Sequence, residues 1–108
     1  MKFGGGNIKN LMKQASKMKE QMEKLQAEAG EKTVEATSGG GMVTVVAKAK
    51  GEVLSIKIEP EIVSESDIEM LQDLVTAAVN EALNRGQDVM KEEVAKLAGG
   101  LGLPPGLL

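Results

Sequence analysis

Val43-Thr44-Val45-Val46-Ala47-Lys48-Ala49-Lys50-Gly51-Glu52-Val53-Leu54-Ser55-Ile56-Lys57-Ile58 decides the fold, because its apolar residues recur at every second position. Val43, Val45, Ala47 and Ala49, followed by Leu54, Ile56 and Ile58, fall on one face, while Thr44, Lys48, Ser55 and Lys57 fall on the other. Upstream, Val34 and Ala36 flank Glu35 and extend the alternation. Gly39-Gly40-Gly41 separates the first two runs and Lys50-Gly51 the second two, each short enough for a hairpin. The pattern predicts a three-stranded antiparallel meander that is apolar on one side, ending at Pro60.

On both sides of this segment the period lengthens to that of a helix. Ile8, Leu11, Ala15, Met18, Met22, Leu25 and Ala29 are spaced alternately three and four apart, which predicts a helix with a coiled-coil-like seam from about Ile8 to Ala29. Asn7 is the expected N-cap, Gly30 the expected residue after the C-terminus, and residues 4–6 a flexible glycine lead-in. After Pro60, Ser66 and Glu69 have the form of a capping box. Ile68, Leu71, Val75, Ala78, Ala82, Val89 or Met90, Val94 and Leu97 then predict a second helix, with a break or kink expected at Arg85-Gly86. Residues 1–98 are expected to form a single domain, and residues 99–108, rich in Gly, Pro and Leu, an irregular tail that is not helical.

The fold class is therefore α+β: helix, three-stranded antiparallel meander, and a long helix with its kink expected at Arg85-Gly86. A seven-residue strand spans only about 23 Å, whereas the second helical pattern would be roughly 48 Å long. At least one helix must overhang the sheet, and an apolar seam in water calls for the other helix or a second subunit. A chain of 108 residues also hides only about two-thirds of its unfolded surface, which favours a core completed by a partner.

Composition removes whole classes of chemistry. With no Cys and no His there is no disulfide, no thiolate or imidazole metal site, no Cys nucleophile and no Ser-His dyad. No apolar run approaches the ~20 residues of a membrane span, and residues 1–6 lack a signal-peptide stretch, so a cytoplasmic protein is expected. The formal net charge of −3 is unevenly spread: residues 1–19 hold Lys2, Lys9, Lys13, Lys17 and Lys19 with no acid, which is +5 and leaves −8 for the rest. Glu59 to Asp73 is the opposite pole, six acids with no base. Asymmetry of this kind points to nucleic acid or another acidic partner at one end.

Several segments resemble the YbaB/EbfC family over nearly the whole chain. Asn10-Leu11-Met12-Lys13-Gln14-Ala15 is similar to its first-helix opening, and Gly39-Gly40-Gly41-Met42-Val43-Thr44-Val45 to its glycine-led central strand. Gly51-Glu52-Val53 through Ile58-Glu59-Pro60 resembles its third strand, and Leu103-Pro104-Pro105-Gly106 the ending of many members. Leu71-Gln72-Asp73-Leu74-Val75-Thr76-Ala77-Ala78-Val79-Asn80-Glu81-Ala82 is the most specific match, to the pattern L-x-D-L-hydrophobic-x-A-A-hydrophobic-N-x-A. The resemblance implies a tweezer-like homodimer with projecting helical arms, a nucleoid-associated protein that binds DNA with little sequence preference and is not an enzyme.

Lys9, Lys13 and Lys17 recur every fourth residue and form a stripe along one helix flank, with Asn10 and Gln14 as neutral hydrogen-bonding neighbours. A solvated face is the plain alternative, and the acid-free start together with the resemblance favours phosphate contact. Arg85, Lys91 and Lys96 are a second candidate set for DNA, although Asp88, Glu92 and Glu93 interleave with them and intrahelical ion pairs explain them equally well. Val43, Val45, Ile56, Leu71, Leu74, Val75 and Ala78 are the candidate dimer-interface residues, from the sheet edge and the second helix. Duplex rather than single-stranded DNA is the expected partner, because stacking platforms need aromatic rings and Phe3 is the only one. No cofactor, metal ligand set, catalytic group, membrane contact or small-molecule substrate is expected: the glycine triplet precedes no Gly-Lys-Ser/Thr, and the acidic run matches no calcium loop. The second functional reading is a protein-protein adaptor that uses the Met/Leu seam and the apolar tail. A hydrolase built on carboxylates alone is remote.

Overall fold

The computed structural model describes residues 5–63 and 67–100. Helix α1 (Gly5–Ala29) leads into strands β1 (Thr33–Ser38), β2 (Val43–Lys48) and β3 (Glu52–Ile58), and helix α2 (Ile68–Gly100) follows. The three strands form one antiparallel sheet in the order β1-β2-β3, as the alternation predicts. α1 begins at Gly5, so Gly5 and Gly6 belong to the helix and Asn7 lies within its first turn instead of capping it. The capping residue proposed for α2, Ser66, lies outside the described residues, as do residue 4 and residues 101–108 of the expected lead-in and tail.

β2 is the spine of the core. Val43, Val45 and Ala47 are fully buried beneath α2, and the pairs Ala36 with Val45 and Val34 with Ala47 carry the same face onto β1. Ala78 and Ala82 press onto this face, with Leu71, Leu74, Val75 and Val79 packed around them and Ile62 closing one end. Small residues on both surfaces let the helix approach the sheet closely. The glycine triplet makes a tight 3-10 turn in which Gly39, Gly40 and Gly41 take φ of 60°, 68° and 94°. Those are left-handed conformations that cost an L side chain about 1–2 kcal/mol each.

On β3 the strict alternation fails. A bulge lies opposite Val46/Ala47, so Val53 pairs with Ala47 and Ile56 with Val45. Val53, Ile56 and Ile58 therefore share the inner face, and Leu54 is the inserted residue, where simple alternation had grouped Leu54 with Ile56 and Ile58.

α2 is continuous through Arg85-Gly86, where the sequence predicted a kink, and continues through Gly99 and Gly100, which the sequence assigned to an irregular tail. Gly86 is buried, and a Cβ there would stand 3.0 Å from the Ala49 Cα and 3.1 Å from its carbonyl oxygen. This glycine serves close contact between α2 and the end of the sheet, not a bend. Past Gly86 the helix leaves the sheet and overhangs it by roughly 21 Å over its last fourteen residues. α1 runs antiparallel to that overhang: Lys32 beyond its end pairs with Glu93, and Leu25 and Gln21 lie by Leu97. Met18, Met22 and Leu25 are half-buried there, and Ala29 and Ala98 are buried. The N-terminal half of α1 projects further, with Ile8, Leu11 and Met12 exposed at 54%, 64% and 68%.

Candidate nucleic-acid interface

Lys9, Lys13 and Lys17 stand on a part of α1 that no other described element touches. Lys9, Asn10, Lys13, Gln14 and Lys17 are all exposed, and Lys9, Lys13 and Lys17 form no ion pair with any acid among the described residues. At about 100° per residue the three lysines lie nearly opposite the Leu11, Met18 and Met22 seam. The covered part of the seam faces α2, so the stripe faces solvent. Successive lysines rise about 6 Å along the helix, giving an uninterrupted cationic edge roughly 12 Å long before Glu20. The site is able to hold a polyanion by charge and hydrogen bonding. It offers no convergent acid, base or nucleophile.

Arg85 and Lys91 of α2 do not join this edge. Arg85 donates from Nη1 to the Glu35 carbonyl of β1 at 2.7 Å and from Nε to Glu81 at 3.2 Å, so its guanidinium fastens α2 to the sheet. Lys91 is exposed and lies by a groove with Gln26, Lys50, Gln87 and Met90. Gln26 is nine residues, or about 14 Å, further along α1 than Lys17, which separates Lys91 from the stripe.

Lys32, Lys48, Lys50 and Lys96 of the body are neutralised locally. Glu31, just beyond α1, receives Lys48 at 2.6 Å and Lys50 at 3.1 Å, and Glu52 approaches both. The Lys48 and Lys50 ammonium groups hold the Glu31 carboxyl below its ordinary range, and Glu31 in turn raises the Lys50 ammonium. Lys32, assisted by Lys96, does the same to Glu93. These pairs pin the root of α1 to the sheet and to α2, while the lysine edge at its tip has no ion pair among the described residues.

Of the candidate dimer residues, Val43, Val45 and Ala78 have no accessible surface left, because α2 and the sheet bury them within the chain itself. They are core residues rather than interface residues. Leu71, Leu74 and Val75 are half-buried around that core, whereas Ile56 is 44% exposed. Ile56 belongs to a larger uncovered stripe, since α2 crosses toward β1 and leaves Val53 and Leu54 of β3 exposed as well. The bulge that aligns Val53 with Ile56 is not legible from alternation.

A family model described as the YbaB/EbfC DNA-binding family matches residues 4–101. The chain belongs to the YbaB/EbfC DNA-binding family. Its members are DNA-binding proteins and not enzymes, and the adaptor reading is not favoured. The chain is 55% identical to a nucleoid-associated protein of Acetivibrio thermocellus over 95% of its length and 91% of that protein. It is 54% identical to a nucleoid-associated protein of Clostridium novyi over 94% and 89%. An uncharacterized protein of Helicobacter pylori has the same fold, with a TM-score of 0.60 at 24% identity over 81% of this chain and 96% of that one. Among the described residues no helix is long and apolar enough to cross a membrane, and no group of three or more Asp or Glu is placed to hold a metal ion.

Proposed function

We propose that this YbaB/EbfC protein binds duplex DNA as a homodimer, mainly through phosphates and with little sequence preference, and organises the nucleoid in the cytoplasm. The observation that carries the reading is the exposed, acid-free lysine edge Lys9, Lys13 and Lys17 on the projecting half of α1. Charge at the tip of an arm reaches a rod-like polyanion while the acidic body stays clear of it. Two arms bring up to six such lysines to the duplex, and release of the associated counterions supplies the affinity. Asn10 and Gln14 add neutral bonds to phosphates or base edges, with weak discrimination between sequences. The uncovered stripe of β3 supports a second copy as its cover.

Fluorescence anisotropy with a labelled duplex tests the site. Six phosphate contacts correspond to a slope of about −5 in log affinity against log salt. Changing Lys9, Lys13 and Lys17 together to Glu is expected to weaken binding by more than about 100-fold at low salt and to flatten that slope. Unchanged affinity in a folded, dimeric variant would sink the assignment.

A further inference from the structure

Met12 does not belong to the seam of α1. It lies about 100° around the helix from the line of Leu11, Met18 and Met22, and on the opposite side from Asn10 and Gln14. Its helical neighbours are Lys9 three residues before, Ala15 and Ser16 three and four after, and Lys19 seven after. Ala15 and Ser16 are short, so the thioether stands above them, and at 68% it is the most exposed of the large hydrophobic residues described. Lys9 and Lys13 border it on one flank and Lys19 follows two turns along the same face, all three exposed, while exposed Ile8 lies on its other flank. An apolar knob beside cations on a projecting arm has no role in packing among the described residues.

We propose that this face, centred on Met12 and Ser16, is the one α1 presents to duplex DNA, with Lys9, Lys13 and Lys19 on phosphates and the Met12 side chain entering between base steps. The inference rests on the duplex-binding reading above and adds a contact surface and a consequence: binding bends the DNA. The face favours a duplex because its lysines complement phosphates while its apolar centre suits the interior between bases. Proteins that insert Met, Leu, Ile or Phe in this way partly unstack one step and kink the helix. Lys19 becomes a phosphate contact beside Lys9 and Lys13.

A duplex of about 30 base pairs carrying a fluorescence donor and acceptor at its ends reads binding and bending together. Full-length protein is expected to raise the energy transfer on binding. Met12→Ala is expected to abolish that rise while weakening affinity by no more than about tenfold, since only a partly buried side chain is lost. Met12→Leu is expected to restore it, and Lys19→Glu to weaken binding. Binding with no change in energy transfer, or an equal change with Met12→Ala, overturns the wedge and leaves the duplex reading standing. No duplex binding even at low salt overturns both. Met12-dependent binding to phosphatidylglycerol vesicles, with an unbent duplex, assigns the face to a lipid surface and overturns the wedge.

Discussion

At Gly86 a side chain as small as that of Ala would bring its Cβ within 3.0 Å of the Ala49 backbone. Helix propensity alone gives Ala an advantage of about 1 kcal/mol in mid-helix, whereas overpacking against backbone costs about 1–3 kcal/mol. The contact outweighs the propensity, so Gly86→Ala is expected to lower stability by about 1 kcal/mol, or roughly 4–8 °C in Tm by circular dichroism. A rise in Tm would show that the approach is looser than the geometry indicates. Gly30 is a parallel case without unusual φ: a Cβ there would run into the Gln26 carbonyl oxygen and stand 3.1 Å from the Lys50 Cβ. Glu31 carries a pH signature. Its carboxyl is lowered from 4.5 chiefly by the hydrogen bond from Lys48, so its stabilising contribution is in place above about pH 4.5 and is lost as the pH falls through the lowered value. Lys50, raised from 10.5, contributes below that value and loses its contribution as the pH rises past its own higher one. Both groups are exposed and screened, so the signature belongs in a carboxyl NMR titration more than in global stability. The Glu31 midpoint is expected below 4.5 and is expected to move back toward it in Lys48→Met; an unmoved midpoint would remove Lys48 as the cause.

At the scale of elements, the two outer strands of the sheet are treated differently. β1 lies under α2 and is fastened to it by Arg85 on the Glu35 carbonyl and by the Ser38 hydroxyl, which donates to the Leu74 carbonyl at 2.6 Å. β3 is left with an open edge and with Val53, Leu54 and Ile56 exposed at 38%, 47% and 44%. An open apolar edge strand is a pairing surface. Ile56→Lys, at a position outside the protomer core, is expected to yield a folded monomer by light scattering at micromolar concentration and to weaken DNA binding, since one arm then acts alone. A dimeric Ile56→Lys protein would move the interface elsewhere. α1 shows the complementary division along a single helix. Its C-terminal half is packed against α2, with ion pairs just beyond its end at Glu31 and Lys32, whereas its N-terminal half carries lysines, Met12 and an uncovered seam.

For the whole molecule, charge and shape act together. The chain extends over 76 × 21 × 19 Å, and its net charge of −3 is the sum of a cationic arm and an acidic body. On the proposed reading, such a molecule is expected to bind DNA where the arm reaches it, with a strength that falls steeply with salt. Element order, the meander, the lysine edge and the family were all legible in the sequence, because hydrophobic period and local charge depend on neighbours along the chain. The continuity of α2 through Gly86, the burial of Val43, Val45 and Ala78 within one protomer, the bulge that aligns Val53 with Ile56 and the diversion of Arg85 to the Glu35 carbonyl were decided by tertiary structure alone. Each depends on which surfaces meet: Gly86 reads as a helix breaker until Ala49 lies against it, Arg85 as a free cation until β1 takes its guanidinium, and Val45 as a candidate interface residue until α2 covers it.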